Sequence, residues 1–135
     1  MAGMILSAGL MLMPFPAETI TRPPAFDGWW SHYAKGVSIA QREYAIEYHG
    51  LPPDWGGIMI ALLDCDNVGD VVDINLGDGW QPAFVVDCGG PDVDYNLWVD
   101  NDILGEVLWP AADEYDMTGN GLYPGKLRYR NNATA

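Results

Sequence analysis

Two stretches of the chain share one design. Leu62-Leu63-Asp64-Cys65 and Val85-Val86-Asp87-Cys88 each end an apolar run in a carboxylate followed by a cysteine. A carboxyl at the end of a buried strand is partly desolvated, which raises its pKa and keeps it protonated at about pH 6. Such a group can give a proton to a leaving oxygen. Asp87 is therefore the candidate general acid/base, and Gly89 and Gly90 behind it leave room for a ligand chain to approach. If the two strand ends lie side by side, Asp64 is its candidate partner, because adjoining carboxyls split roles, one protonated and one ionised. The plainer reading makes Asp87 an acceptor for loop amides and Asp64 a turn former.

The cysteines, Cys65 and Cys88, are the only 2 in the chain. With no histidine nearby they do not make a zinc site. The matching strand ends favour a disulfide, which would contribute roughly 3 kcal/mol and imply an oxidising compartment, outside the cell or on its surface. The alternative is a pair of buried thiols. Asp92, Asp94, Asp100 and Asp102 suggest calcium, but an EF-hand loop starting at Asp100 would put Leu104 at its fifth position and Ala111 at its twelfth. No metal and no cofactor is expected.

Aromatic side chains supply sugar-stacking surfaces, since a pyranose presents apolar C–H faces to a ring. Trp80 and Trp98 flank the Asp87 segment in sequence, and Tyr33 and Tyr95 are further candidates. His32 can fold into the site from the same aromatic stretch as Tyr33. Others of the 6 Trp and 7 Tyr must fill the core.

The formal net charge is −13, and no Lys or Arg lies between Arg42 and Lys126. A phosphate-binding surface needs clustered cations, so nucleic acid is excluded as a partner. An anionic membrane surface is disfavoured on the same ground. A neutral sugar polymer carries no such penalty. The acidic interval reads either as a solvated face or as a cleft whose field raises carboxyl pKa values.

The 135 residues make one domain. Residues 1–24 form an arm and linker, 25–130 the body, and 131–135 a tail. Gly3 to Pro16 is apolar and Met-rich, too short to span a bilayer as a helix. It reads as a signal-like segment lacking a basic start, since the first basic residue is Arg22, or as an arm that packs on this chain or on a second copy. Asn132-Ala133-Thr134 matches a glycosylation sequon.

In the body, Trp29 to Tyr33 reads as a strand, Lys35-Gly36 as a turn and Ser38 to Tyr48 as a short helix. Strands are predicted at Ile58 to Leu63, Asp70 to Leu76, Ala83 to Val86, Ile103 to Leu108 and Lys126 to Arg130. Trp109 to Met117 suits a second short helix, with Pro110 in its first turn. About six short strands between Gly, Pro and Asp turns suit a small closed β-barrel.

Phe84-Val85-Val86-Asp87-Cys88-Gly89-Gly90-Pro91 resembles the Val-x-Val-x-Asp-Arg-Gly-Pro segment of double-psi β-barrel domains of the rare-lipoprotein-A and expansin (barwin-like endoglucanase) type. The upstream Ser31-His32-Tyr33-Ala34-Lys35-Gly36 is similar to that family's aromatic-Tyr-Ala-x-Gly stretch, and the order of elements agrees from Gly28 to Arg130. The resemblance implies a mainly β fold, a six-stranded double-psi β-barrel with one or two short helices and an N-terminal extension. It implies an extracellular domain that binds a wall polysaccharide, peptidoglycan or β-glucan, and Asp87 as the acid/base of a lytic transglycosylase or endoglucanase. Here Cys88 replaces the family's Arg, and no His precedes the turn near Leu63. These departures favour the rival expectation, a non-catalytic carbohydrate-binding module or an assembly subunit of a virion or cell surface.

Overall fold

The computed structural model describes residues 24–89, 95–117 and 121–130. The expected N-terminal arm, the tail with its sequon and the Gly90 to Asp94 turn lie outside them. The fold is mainly β. Six strands, β1 (Ala25–His32), β2 (Ile58–Leu62), β3 (Val71–Asn75), β4 (Trp80–Cys88), β5 (Ile103–Val107) and β6 (Tyr123–Arg128), close into a ring in the order β1-β5-β2-β4-β3-β6. Three short helices are attached: α1 (Lys35–Tyr48), α2 (Tyr95–Asp100) and α3 (Ala111–Glu114).

The pairings have an internal symmetry. β1 runs parallel to β5 and antiparallel to β6, and β4 runs parallel to β2 and antiparallel to β3. The remaining pairs, β2 with β5 and β3 with β6, are antiparallel. Exchanging β1 with β4, β2 with β5 and β3 with β6 therefore leaves the whole scheme unchanged. The matching Asp-Cys motifs are not related by this exchange. They end two strands, β2 and β4, that lie side by side with Leu62 opposite Cys88.

Burial explains the strand patterns. β2 is buried along its whole length, and β4 is buried from Ala83 to Val86, because both are covered on two sides. Ile58, Ile60, Leu62, Ala83 and Val85 join the ring interior, whereas Met59, Phe84 and Val86 pack with Ala45 and Leu51 outside it. β3 alternates, since only Val72 and Ile74 face inward. Trp30 fills the interior at 0% exposure, and two glycines make room for it. A Cβ on Gly105 would sit 2.8 Å from the Trp30 ring, and one on Gly125 would sit 2.7 Å from it.

Helix α1 lies over β4. Its Ser38 hydroxyl donates to Ala34 O at 2.9 Å and accepts from Trp109 N–H at 2.9 Å. Gly50, at φ +78°, turns the chain at its end, and the Leu51 N–H donates back to Ala45 O.

Several elements differ from their predicted extents. Lys35 and Gly36 open α1 instead of making a turn. β4 begins at Trp80, and Pro82 fits because the β2 pairing starts only at Ala83, leaving that side of Pro82 without a ladder to serve. β6 begins at Tyr123, its Pro124 and Gly125 having disguised it as a loop. The expected helix from Trp109 to Met117 shortens to α3, and α2, six residues long, is too brief to leave a periodic signature.

Cys65 and Cys88 are bonded, with their Cα atoms 4.9 Å apart and a sequence separation of 23. The bridge staples the C-terminal end of β4 to the 3-10 turn Cys65–Asn67 that follows β2. Replacing both cysteines with serine is expected to cost about 3 kcal/mol in urea unfolding, the value for a loop of this length. A double variant as stable as the wild type would show that the bridge constrains nothing in the unfolded chain.

Candidate functional site

The ends of β2 and β4 position the chemistry. Ile60 pairs with Val85 and Ala61 with Asp87, so the register shifts there and Val86 is the extra residue of a bulge. Bulges re-aim side chains; this one brings Asp87 opposite Ala61. The Gln41 side-chain amide on α1 donates to the Val86 carbonyl at 2.9 Å and holds the bulge from outside.

Asp87 is half-buried. The Tyr33 hydroxyl donates to its Oδ2 at 2.6 Å, and the Cys88 N–H donates to its Oδ1 at 2.8 Å. Tyr33 follows β1 and is anchored by its own N–H, which donates to Val107 O at 2.9 Å. Burial, and then the hydrogen bond and charge of Asp87, push the Tyr33 phenol up, so it remains a donor.

On its other side, Ala61 faces Glu106 of β5, and Glu106 in turn faces Ser31 of β1. Asp87, Ala61, Glu106 and Ser31 thus make one cross-strand row, with the smallest side chain between the two carboxylates. Burial first, and the negative charge of Asp87 second, push the Glu106 carboxyl up from 4.5 to about 7. The row contains one group that holds a proton near neutral pH and one whose charge favours that proton staying.

Comparison of the chain with protein-family models, with curated proteins and with solved structures returns no match.

Asp64 is exposed, and its Oδ1 accepts the Asp66 N–H at 2.9 Å, capping the 3-10 turn. It lines a pocket of about 520 Å³ with Phe26, Leu104 and Tyr129, and its charge helps to raise the Tyr129 phenol after burial. The carboxylate that interacts with Asp87 is Glu106. Tyr33 is in the site. His32 pairs with Val107 beside it, and its Nδ1 is buried without a hydrogen-bond partner. Trp80 stands at the start of β4, seven residues and roughly 23 Å along the strand from Asp87. The Arg128 guanidinium covers its ring at 4.1 Å. Tyr95 and Trp98 belong to α2, where Trp98 is half-buried. Among the described residues no cluster of three or more His, Cys, Asp or Glu could hold a metal.

Sequence reasoning passed over Glu106. Its signal was a lone charge inside a strand, between the buried Gly105 and Val107. Alternation places such a residue on the face opposite the core.

The Glu106 carboxyl couples stability to pH. Its folded value of about 7 lies above the ordinary 4.5, so between those limits the folded protein holds a proton that the unfolded chain releases. The contribution is complete below pH 4.5 and is lost as pH rises through 7. Urea unfolding of wild type and Glu106→Gln between these limits is expected to show the wild type losing stability relative to the variant as pH rises. Parallel profiles would place the buried proton elsewhere.

Proposed function

We propose that the protein is a double-psi β-barrel that binds and cleaves a cell-wall polysaccharide, with Glu106 as general acid and Asp87 as the partnering carboxylate. The observation that carries this is the row Asp87–Ala61–Glu106, in which Glu106 keeps its proton to about pH 7. The double-psi assignment draws on the exchange symmetry of the six strands. The polysaccharide class, peptidoglycan or β-glucan, draws on the resemblance of Phe84 to Pro91 to the rare-lipoprotein-A and expansin segment, whose Asp aligns with Asp87. The disulfide favours an extracellular or cell-surface setting.

In this reading Glu106 protonates the glycosidic oxygen as the bond breaks, and Asp87 takes a proton from the water that attacks the anomeric carbon while its charge stabilises the cation developing on the sugar ring. Two strands separated by a third lie about 9–10 Å apart at the backbone. Carboxyls about 6.5–9.5 Å apart admit a water on the far face of the sugar and give inversion. Tyr33 orients Asp87 and does not itself exchange a proton.

The test is product release from peptidoglycan and from β-glucan, followed by the analysis of new chain ends. Release by the wild type that falls in both Asp87→Asn and Glu106→Gln supports the reading, and no release from either polymer removes it. A second reading, an assembly subunit on the same fold, draws on the outer face of α1, where Val37, Tyr44 and Tyr48 are all more than half exposed, at 56%, 51% and 61%. It gains if the wild type is inactive and self-associates.

A further inference from the structure

A groove on the opposite side of α1 has chemistry of its own. It encloses about 480 Å³ between α1, the segment around Trp55 and the Trp109-Pro110 turn. Ile39, Ile46, Met59, Trp55 and Trp109 give it apolar walls, and Arg42 lines it as well.

The chain has 6 Lys and Arg, and five of them lie among the described residues. Among the described residues Lys126 pairs with Asp27 at 2.7 Å, Arg130 pairs with Asp73 at 3.1 Å, and Arg128 covers Trp80. The two cations of α1 have no carboxylate partner among the described residues. Lys35 lies 4.6 Å from the centroid of the Trp109 ring, and that ring lines this groove. Arg42 spends one guanidinium nitrogen on Pro53 O at 2.8 Å and Trp55 O at 3.5 Å. Its second terminal nitrogen, Nη1, is shielded from water and meets no acceptor. A shielded guanidinium N–H without an acceptor is costly, and a carboxylate that draws the guanidinium toward the groove uncovers Nη1 and satisfies it with a charge-assisted bond. Arg42 lines the groove and Lys35 stands over the Trp109 ring that forms one of its walls, which argues for an anionic occupant with an apolar body. Glu43 also lines the groove, which favours one negative charge over a phosphate dianion.

We propose that this groove binds a small organic monocarboxylate. Its apolar body lies between Trp55 and Trp109, and its carboxylate is received by Arg42 with Lys35 adding long-range attraction. The site is independent of the Asp87–Glu106 row, and its test does not depend on that row being catalytic.

Phenylacetate, its neutral isostere phenylacetamide and inorganic phosphate serve as probes, titrated into the ¹⁵N-labelled full chain. The indole N–H signals of Trp55 and Trp109 report the groove directly. Phenylacetate is expected to shift both saturably, and phenylacetamide and phosphate to bind more weakly. Arg42→Gln is expected to weaken phenylacetate about ten- to a hundredfold, the range for one hydrogen bond to a charged group. Arg42→Lys should retain part of the affinity. Because Arg42 also ties down Pro53 and Trp55, Lys35→Gln is a second arm, expected to weaken phenylacetate and leave phenylacetamide unchanged. Equal binding of acid and amide, an unchanged affinity in Arg42→Gln, or no shift of the two indoles by phenylacetate would each overturn the proposal.

Discussion

Asp87→Asn is expected to lower cleavage of the responsive wall polymer by about a hundred- to ten-thousandfold, the range lost when a positioned acid/base group is removed. The substitution keeps the shape of the side chain and leaves the bulge held by Gln41 in place, but its single oxygen can accept from only one of the two donors, the Tyr33 hydroxyl and the Cys88 N–H. The negative charge beside Glu106 disappears as well. Two effects follow. The developing cation on the sugar loses its counter-charge, and the Glu106 proton loses the neighbour that helps to retain it. Glu106→Gln removes the proton itself and is expected to cost a similar factor. The double variant should be little worse than either single one, because the two carboxyls act as a unit. Unchanged release in Asp87→Asn would remove Asp87 from the chemistry whatever Glu106 does.

Gly105→Ala is expected to destabilise the protein by 3 kcal/mol or more, at or beyond the upper end of about 1–3 kcal/mol for overpacking a core. A methyl at this position is caught between the Trp30 ring, 2.8 Å away, and the backbone carbonyl of Ala61. Trp30 is fully buried and cannot swing out, and Ala61 belongs to the central strand of the carboxylate row. Relief therefore requires β2 and β5 to part, which removes ladder pairing and displaces Glu106 as well. Against a total stability of roughly 5–15 kcal/mol this is a large share. Gly56→Ala is the control, because a Cβ there meets nothing within 4 Å and its effect is expected to stay within about 0.5 kcal/mol. Thermal or urea unfolding measures both. Equal stability of the two variants would contradict the packing account of Trp30.

The ring of strands was legible because β2 and β4 are continuous apolar runs and β3 alternates, patterns that follow from burial on two faces or on one. The bridge was legible from two matching Asp-Cys ends, and β2 and β4 do lie side by side. The strand extents around Pro82, Pro124 and Gly125 were hidden. Those residues are breakers in isolation, and only the pairing partners show why they are tolerated.

The site was half legible. Asp87 stood out as a carboxylate closing an apolar run. Its neighbour did not, because nearness across a sheet depends on register. Glu106 lies 19 positions further on in sequence but one strand away from Ala61, and a single bulged residue decides which side chain faces it. Asp64 drew attention by its likeness to Asp87, yet a carboxylate one residue before a 3-10 turn has an amide to cap.

The central claim is that Asp87 and Glu106 form one electrostatic unit. The most direct measurement is the pH titration of the Glu106 side-chain carboxyl by ¹³C NMR in wild type and in Asp87→Asn. The account predicts a midpoint near 7 in the wild type that moves toward 4.5 when the Asp87 charge is removed. A Glu106 that titrates near 4.5 in both proteins, or one that keeps its midpoint unchanged in the variant, would contradict it.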